Sequence, residues 1–293
     1  MRTVTRTVFG AAGDPIQVDE FGPPDGKPVL VHAGSPGSRR VYRPDAELAV
    51  ECGLRLISYD RPGYNGRPRR EGRRIGDVAT DVRRIAAALG VDRLGVWGLS
   101  GGGSDALACA AMLPDLVTGA AVFASFAPYG APGLDFCGDW PPEYRHEIDL
   151  FFTDRATARD HWRQDAERLF ATTSEPAGWL ARWGDAAGTD DAHSHAQAAH
   201  LAAEVRDTLT DGDDGWWDDW TAVLTPWGCD LTTTTVPVRL WHGGRDRAVP
   251  VSNAHWLAEH VPGIVAHISP DEDHTDVQHN NRTAAYTWLT GLD

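Results

Sequence analysis

The sequence predicts an α/β fold on a largely parallel sheet, and three observations carry that reading. Eight short apolar runs recur along the chain, several of them separated by segments of helical periodicity. One of them, Leu94–Leu99, passes through a few small residues directly into a helix-like stretch. From Pro128 to about Leu231 the strand pattern stops, and tryptophan becomes frequent.

The strand-like runs fall near residues 3–8, 16–21, 28–32, 54–59, 94–99, 118–126, 236–241 and 264–268. Between the fourth and fifth, Ile75, Val78, Ala79, Val82, Ile85 and Leu89 share one face of a helix. Strands that alternate with helices form a parallel sheet covered on both sides. The segment 128–231 holds Trp140, Trp162, Trp179, Trp183, Trp216, Trp217, Trp220 and Trp227, eight of the twelve tryptophans. It reads as a helical cap inserted after strand 6, so that residues 1–127 and 232–293 form the core and 128–231 the lid.

A chain of 293 residues with 42% apolar content fits one α/β core plus an insertion. It contains no run of about 18 apolar residues that would span a membrane. The N-terminus lacks the apolar stretch of a signal peptide, so the expected location is cytoplasmic. Cys52, Cys109, Cys137 and Cys229 are scattered and form no C-x-x-C pair, which predicts reduced thiols. A formal net charge of −15 argues against nucleic acid as a partner. Arg67, Arg69, Arg70, Arg73 and Arg74 cluster, but within an acidic chain they read as a solvated face. Asp211, Asp213, Asp214, Asp218 and Asp219 read in the same way.

The chemistry centres on Gly98-Leu-Ser100-Gly-Gly102. A serine between a strand and a helix, flanked by glycines, fits a nucleophile elbow, where the turn is strained and the two backbones pack closely. A serine hydroxyl needs a base, and the base needs an orienting carboxylate, in the chain order Ser, Asp/Glu, His. Asp246 lies on the loop after the strand-like Val236–His242, and His274 on the loop after Val265–Ile268. Alone, Asp246 reads more readily as a turn carboxylate and His274 as a surface histidine; order and strand-end placement make them a set with Ser100. An oxyanion hole requires two amides, one from the residue after the nucleophile and one from the loop after an early strand. Gly101 and Ser35 supply the candidates, the latter in His32-Ala-Gly-Ser35-Pro-Gly.

The segments Val29–Arg39, Tyr59–Tyr64, Gly98–Gly103, Ala106–Asp115, Trp227–Leu231 and Trp241–Pro250 resemble those of α/β-hydrolase-fold enzymes. The chain is most similar to a group of actinobacterial serine hydrolases akin to esterases with a helical cap. The resemblance implies the α/β-hydrolase fold and, in this sequence, Ser100 as nucleophile, Asp246 as acid and His274 as base. It also implies the amides of Ser35 and Gly101 as oxyanion hole, but not a substrate. Ala33, Asn65 and Asp273 depart from the pattern, and Asp273 places a second carboxylate beside the base. Epoxide hydrolases and dehalogenases of this fold carry aspartate at position 100, where this chain has serine.

The reading is a serine hydrolase of a carboxylic ester or lactone, with a hydrophobic small-molecule substrate and no cofactor or metal. A cyclase, lyase or acyltransferase, an amide hydrolase and a non-catalytic receptor stay open, as does a homo-oligomer. Trp216, Trp217 and Trp220 are candidates to line the substrate pocket, with cap packing as the alternative. Asp190, Asp191, His193, His195 and His200 offer donors, but at a spacing that fits no closed metal site.

Overall fold

A computed structural model describes residues 3–11, 13–173 and 192–292. Eight strands form one sheet in the order β1-β2-β4-β3-β5-β6-β7-β8. They are β1 (Thr3–Phe9), β2 (Pro15–Phe21), β3 (Lys27–His32), β4 (Leu54–Tyr59), β5 (Leu94–Leu99), β6 (Val117–Phe123), β7 (Val238–Gly243) and β8 (Val265–Ser269). The pairs β1/β2 and β2/β4 are antiparallel; every pair from β4 to β8 is parallel. All eight strand-like runs of the sequence are therefore strands.

Side chains alternate across the sheet, as the twofold period of a strand requires. Val29, Val31, Trp97, Phe123 and Trp241 point to one face, where α1 (Arg43–Glu51) and α9 (Asp276–Thr290) cover them. Leu30, Val96, Val122 and Leu240 point to the other, beneath α2 (Val78–Leu89), α3 (Gly101–Met112) and α8 (Val251–His260). Parallel strands covered on both faces are apolar nearly throughout, and every residue of β6 is buried.

Among the described residues, four α-helices lie between β6 and β7: α4 (Pro142–Thr153), α5 (Arg155–Thr172), α6 (Ala192–Leu209) and α7 (Asp214–Leu224). This is the helical insertion after strand 6, on a mostly parallel eight-stranded sheet. Its apolar side continues the main core, since Ile148, Phe151, Ala158 and Trp217 join the same cluster as Val96 and Leu240. A smaller cluster of Tyr64, Ala166, Leu169, Val205, Leu209 and Trp216 ties the insertion to the loop after β4.

The chain runs from β3 out to β4 and then crosses back to β5 on the other side of β3. The carboxyl ends of β3 and β5 thus border the topological switch point, where a parallel sheet opens a crevice.

Candidate active site

Ser100 occupies the turn between β5 and α3 with φ 57° and ψ −124°. A non-glycine residue in this region holds strain of about 1–3 kcal/mol and persists only where its surroundings fix it. Here its N–H donates to the carbonyl of Phe123 and its carbonyl accepts from Gly103 N, each at 2.9 Å. The glycines around it are required by contact. A side chain at Gly98 would run into the Gly102 carbonyl, and one at Gly102 into the carbonyls of His32 and Ala33.

The loop after β3 folds over the head of α3. A Cβ added to Gly101 would lie 2.7 Å from Ser35 Oγ and 3.8 Å from Ser35 N. The first amides of an α-helix have no intrahelical acceptor. Among the described residues the Ser35 N–H also donates to no acceptor. Two unspent donors therefore sit side by side next to the Ser100 turn.

On the far side of the crevice, His274 Nδ1 lies 2.7 Å from Asp246 Oδ2. The other Asp246 oxygen accepts from the N–H groups of Ala248 and Val249, both at 2.8 Å. Burial raises the Asp246 pKa, but the charge and hydrogen bond of His274, with the nearby His242 and the Val249 amide, outweigh it and hold the carboxyl below its usual range. For His274, burial disfavours the imidazolium; the Asp246 charge and hydrogen bond, aided by Asp273, reverse this and raise its pKa above 6.5. With Nδ1 engaged by Asp246, Nε2 is the nitrogen left for proton exchange.

The loop carrying His274 leans back over the end of β7. Gly244 N donates to Ser269 O at 2.7 Å and Arg245 N to Glu272 O at 3.0 Å. This holds the His274 loop against the end of β7. Among the described residues no hydrogen bond joins Ser100 to His274, an opening common in unliganded sites.

Asp273 turns away from the base. Its Oδ1 accepts from the N–H groups of Thr275 and Asp276 at 2.8 and 2.9 Å and from Thr275 Oγ1 at 2.9 Å, which caps the start of α9. Its charge also raises the His274 pKa.

The two surface faces read from the sequence are corrected by the structure. Arg67 and Arg73 are buried, as are Asp218 and Asp219. Arg67 binds Asp14 and Asp81, Arg69 binds Asp218, and Arg73 binds Asp219. A buried charge must be paired; the core supplies the partners of Arg67, and the insertion those of Arg69 and Arg73. Asp219, from α7, also accepts from Ser35 Oγ (2.5 Å), Tyr64 OH (2.6 Å) and Arg61 Nη2 (2.8 Å). Burial alone would raise its pKa, and the charges of Arg61 and Arg73 lower it instead. Asp213 is held by Arg159, while Asp211 and Asp214 are exposed as expected. Asp219, Arg61, Arg73 and His242 escaped the sequence reading, although Arg61 lies in one of the segments that carry the resemblance.

The aromatic expectation is also revised. Trp216 and Trp217 are buried in the two packing clusters, against Trp162 and Phe151, which is the packing alternative. Trp220 is half-buried between Phe126, Trp140 and Trp162. A cavity of about 80 Å³ lies instead behind the β3 loop, lined in part by Val31, Gly34, Trp97, Leu99, His200 and Glu204. Burial pushes the Glu204 carboxyl up to about 7, against the Ser38 amide that it accepts. Trp179, Trp183, Asp190, Asp191 and the side chains of His193 and His195 lie outside the described residues. Among the described residues no group of three or more metal-ligating side chains is assembled, and no helix is long and apolar enough to cross a membrane.

Known proteins are similar to this chain in sequence or in fold. A Variovorax paradoxus protein provisionally named carbamate hydrolase RutD is 27% identical over 259 residues, 80% of this chain and 91% of the relative. The crystal structure of a Pseudomonas aeruginosa hydrolase superposes with a TM-score of 0.71 at 15% identity, covering 98% of each chain. The Rhodococcus esterase RhEst1 gives a TM-score of 0.69 at 19% identity, covering 99% of each. The sequence pattern of the α/β-hydrolase fold matches residues 27–276, most of the chain and all of the loops just described, and the protein belongs to that family.

Proposed function

We propose that the protein is a serine hydrolase that cleaves a carboxylic ester or lactone through an acyl-enzyme. The observation that carries this reading is the strained Ser100 turn on the same sheet edge as an Asp246-bound imidazole. Ser100 Oγ attacks the carbonyl carbon as His274 Nε2 accepts its proton. The amides of Ser35 and Gly101 receive the charge that develops on the carbonyl oxygen. The tetrahedral adduct collapses, His274 returns the proton to the leaving alcohol, and the acyl group stays on Ser100. Water, deprotonated by His274, repeats the sequence and releases the acid. Asp246 holds the imidazole in the required tautomer and stabilises its charged form.

A hydrophobic substrate is consistent with the apolar wall of Val31, Trp97 and Leu99 beside the Ser100 turn. The carbamate hydrolase name of one relative favours a second reading, in which the same acyl chemistry acts on a carbamate. Intact-mass measurement after treatment with a fluorophosphonate tests the scheme. We expect one adduct on the wild-type protein and none on Ser100→Ala, whose ester turnover falls on the order of 10⁶-fold. An unlabelled wild-type protein with no turnover of ester or carbamate would mean that the site binds without reacting.

A further inference from the structure

We propose that Asp219 is a positioning residue that aims the Ser35 amide into the oxyanion site from the helical insertion; this rests on the assignment of that amide in the preceding section. The reasoning starts from one peptide unit, Gly34–Ser35. A trans peptide is planar, with C=O and N–H pointing in opposite directions, so fixing the oxygen fixes the N–H. The Gly34 oxygen accepts from Arg61 Nη2 at 2.6 Å, and the Ala33 oxygen from Arg61 Nη1 at 2.5 Å. The Ser35 N–H must therefore point away from Arg61.

Both handles on this peptide converge on Asp219. Its Oδ2 takes Arg61 Nη2 at 2.8 Å and Ser35 Oγ at 2.5 Å, while Tyr64 OH reaches the same oxygen and Arg73 the other. The carboxylate thus fixes the guanidinium that holds one end of the peptide and the hydroxyl next to the other. Arg61 is the group that Asp219 and Asp105 share, with Asp105 Oδ2 3.9 Å from Nη1. A side chain on Gly34 would come within 3.7 Å of Ser100 Cβ, so the aimed peptide is at the nucleophile and not remote from it.

An oxyanion donor works by being fixed before charge develops, because no reorganisation is then needed during the reaction. Freeing the Gly34–Ser35 peptide weakens transition-state binding while leaving ground-state binding largely in place. Loss of kcat at constant KM is the kinetic sign of that difference. A network that only supported the fold would lower the amount of active protein and leave the kinetics of the surviving sites unchanged.

The test uses two variants, with active sites counted by fluorophosphonate titration. Ser35→Ala removes the hydroxyl, with its bond to Asp219 and the one it accepts from Arg61 Nη2 at 3.1 Å, and leaves Arg61, Arg73 and Tyr64 on Asp219. Asp219→Asn keeps the shape and removes the charge. Per titrated site, kcat for an ester is expected to fall roughly tenfold or more in both, short of the 10²–10³ that follows complete loss of a donor. KM should stay within about twofold, and Ki for a trifluoromethyl ketone, which forms the tetrahedral oxyanion on Ser100, should rise by the same factor as kcat falls. Either variant retaining kcat and trifluoromethyl ketone affinity within about twofold overturns the proposal. If Asp219→Asn does not fold, Ser35→Ala decides alone. Wild-type protein that neither labels nor turns over ester removes the oxyanion reading itself, whereas normal wild-type turnover with unaffected variants removes only the role of Asp219.

Discussion

Asp246 and Asp219 are both buried carboxylates that overlook the same crevice, both held below the usual carboxylate range by cationic neighbours. Their partners differ in kind. Asp246 faces an imidazole, which takes up and gives away a proton near neutral pH. Asp219 faces two guanidiniums, which stay charged at every working pH. The β7–β8 side of the crevice is therefore built around a group that changes state. The insertion side is built around groups that cannot. On the proposed mechanism, one region carries the reaction, and the other keeps its scaffold from moving while it occurs.

The comparison breaks first at Asp246. With Asn in its place the imidazole loses its charge partner and its tautomer, and turnover should fall about 10⁴-fold. Steady-state kinetics on a folded Asp246→Asn protein check this; activity within about tenfold of wild type would assign the orienting role to another carboxylate. Asp219→Ala should act on the fold as well as on kcat. Stripping one carboxylate from buried Arg61 and Arg73 leaves uncompensated charge, which destabilises by about 3–5 kcal/mol. Urea unfolding measures it, and a loss below about 1 kcal/mol would show that water reaches the two guanidiniums.

The smallest effect sharpens the β7–β8 side. The base must be neutral to accept the Ser100 proton, so activity falls as pH drops through the His274 pKa, which lies above 6.5. Asp273 supports the charged imidazole, and Asp273→Gly should move this acidic limb to lower pH. The same change removes the α9 cap and destabilises by about a few tenths of a kcal/mol, because glycine is itself tolerated at a helix start. A pH profile of kcat/KM that does not shift would leave Asp273 as a cap alone.

Much of this was legible in the sequence, for reasons of range. Strands announce themselves by the apolar runs of a few consecutive residues, and Ser100 by glycines immediately beside it. Once the elbow is recognised, chain order and strand-end loops lead to Asp246 and His274. The insertion seam gave no such signal. Arg61 and Arg73 meet Asp219 across 158 and 146 residues of sequence, and nothing local separates the buried Asp219 from its exposed neighbour Asp214. Trp216 and Trp217 pose the same difficulty, because an aromatic at helical spacing packs a core as readily as it lines a pocket. Composition reports that such residues exist, and only the tertiary fold decides which of them face each other.

The close approach of α3 to β3 also bears on how this protein can change. Gly98 and Gly102 each meet a main-chain carbonyl that no rotamer adjustment can remove. Random libraries will therefore return almost no active clones altered there, whatever the screening substrate. The walls at Val31, Leu99 and Leu201 are side chains bordering open volume. On the proposed function, selectivity is expected to shift through those positions, while backbone contact holds the Ser100 turn constant.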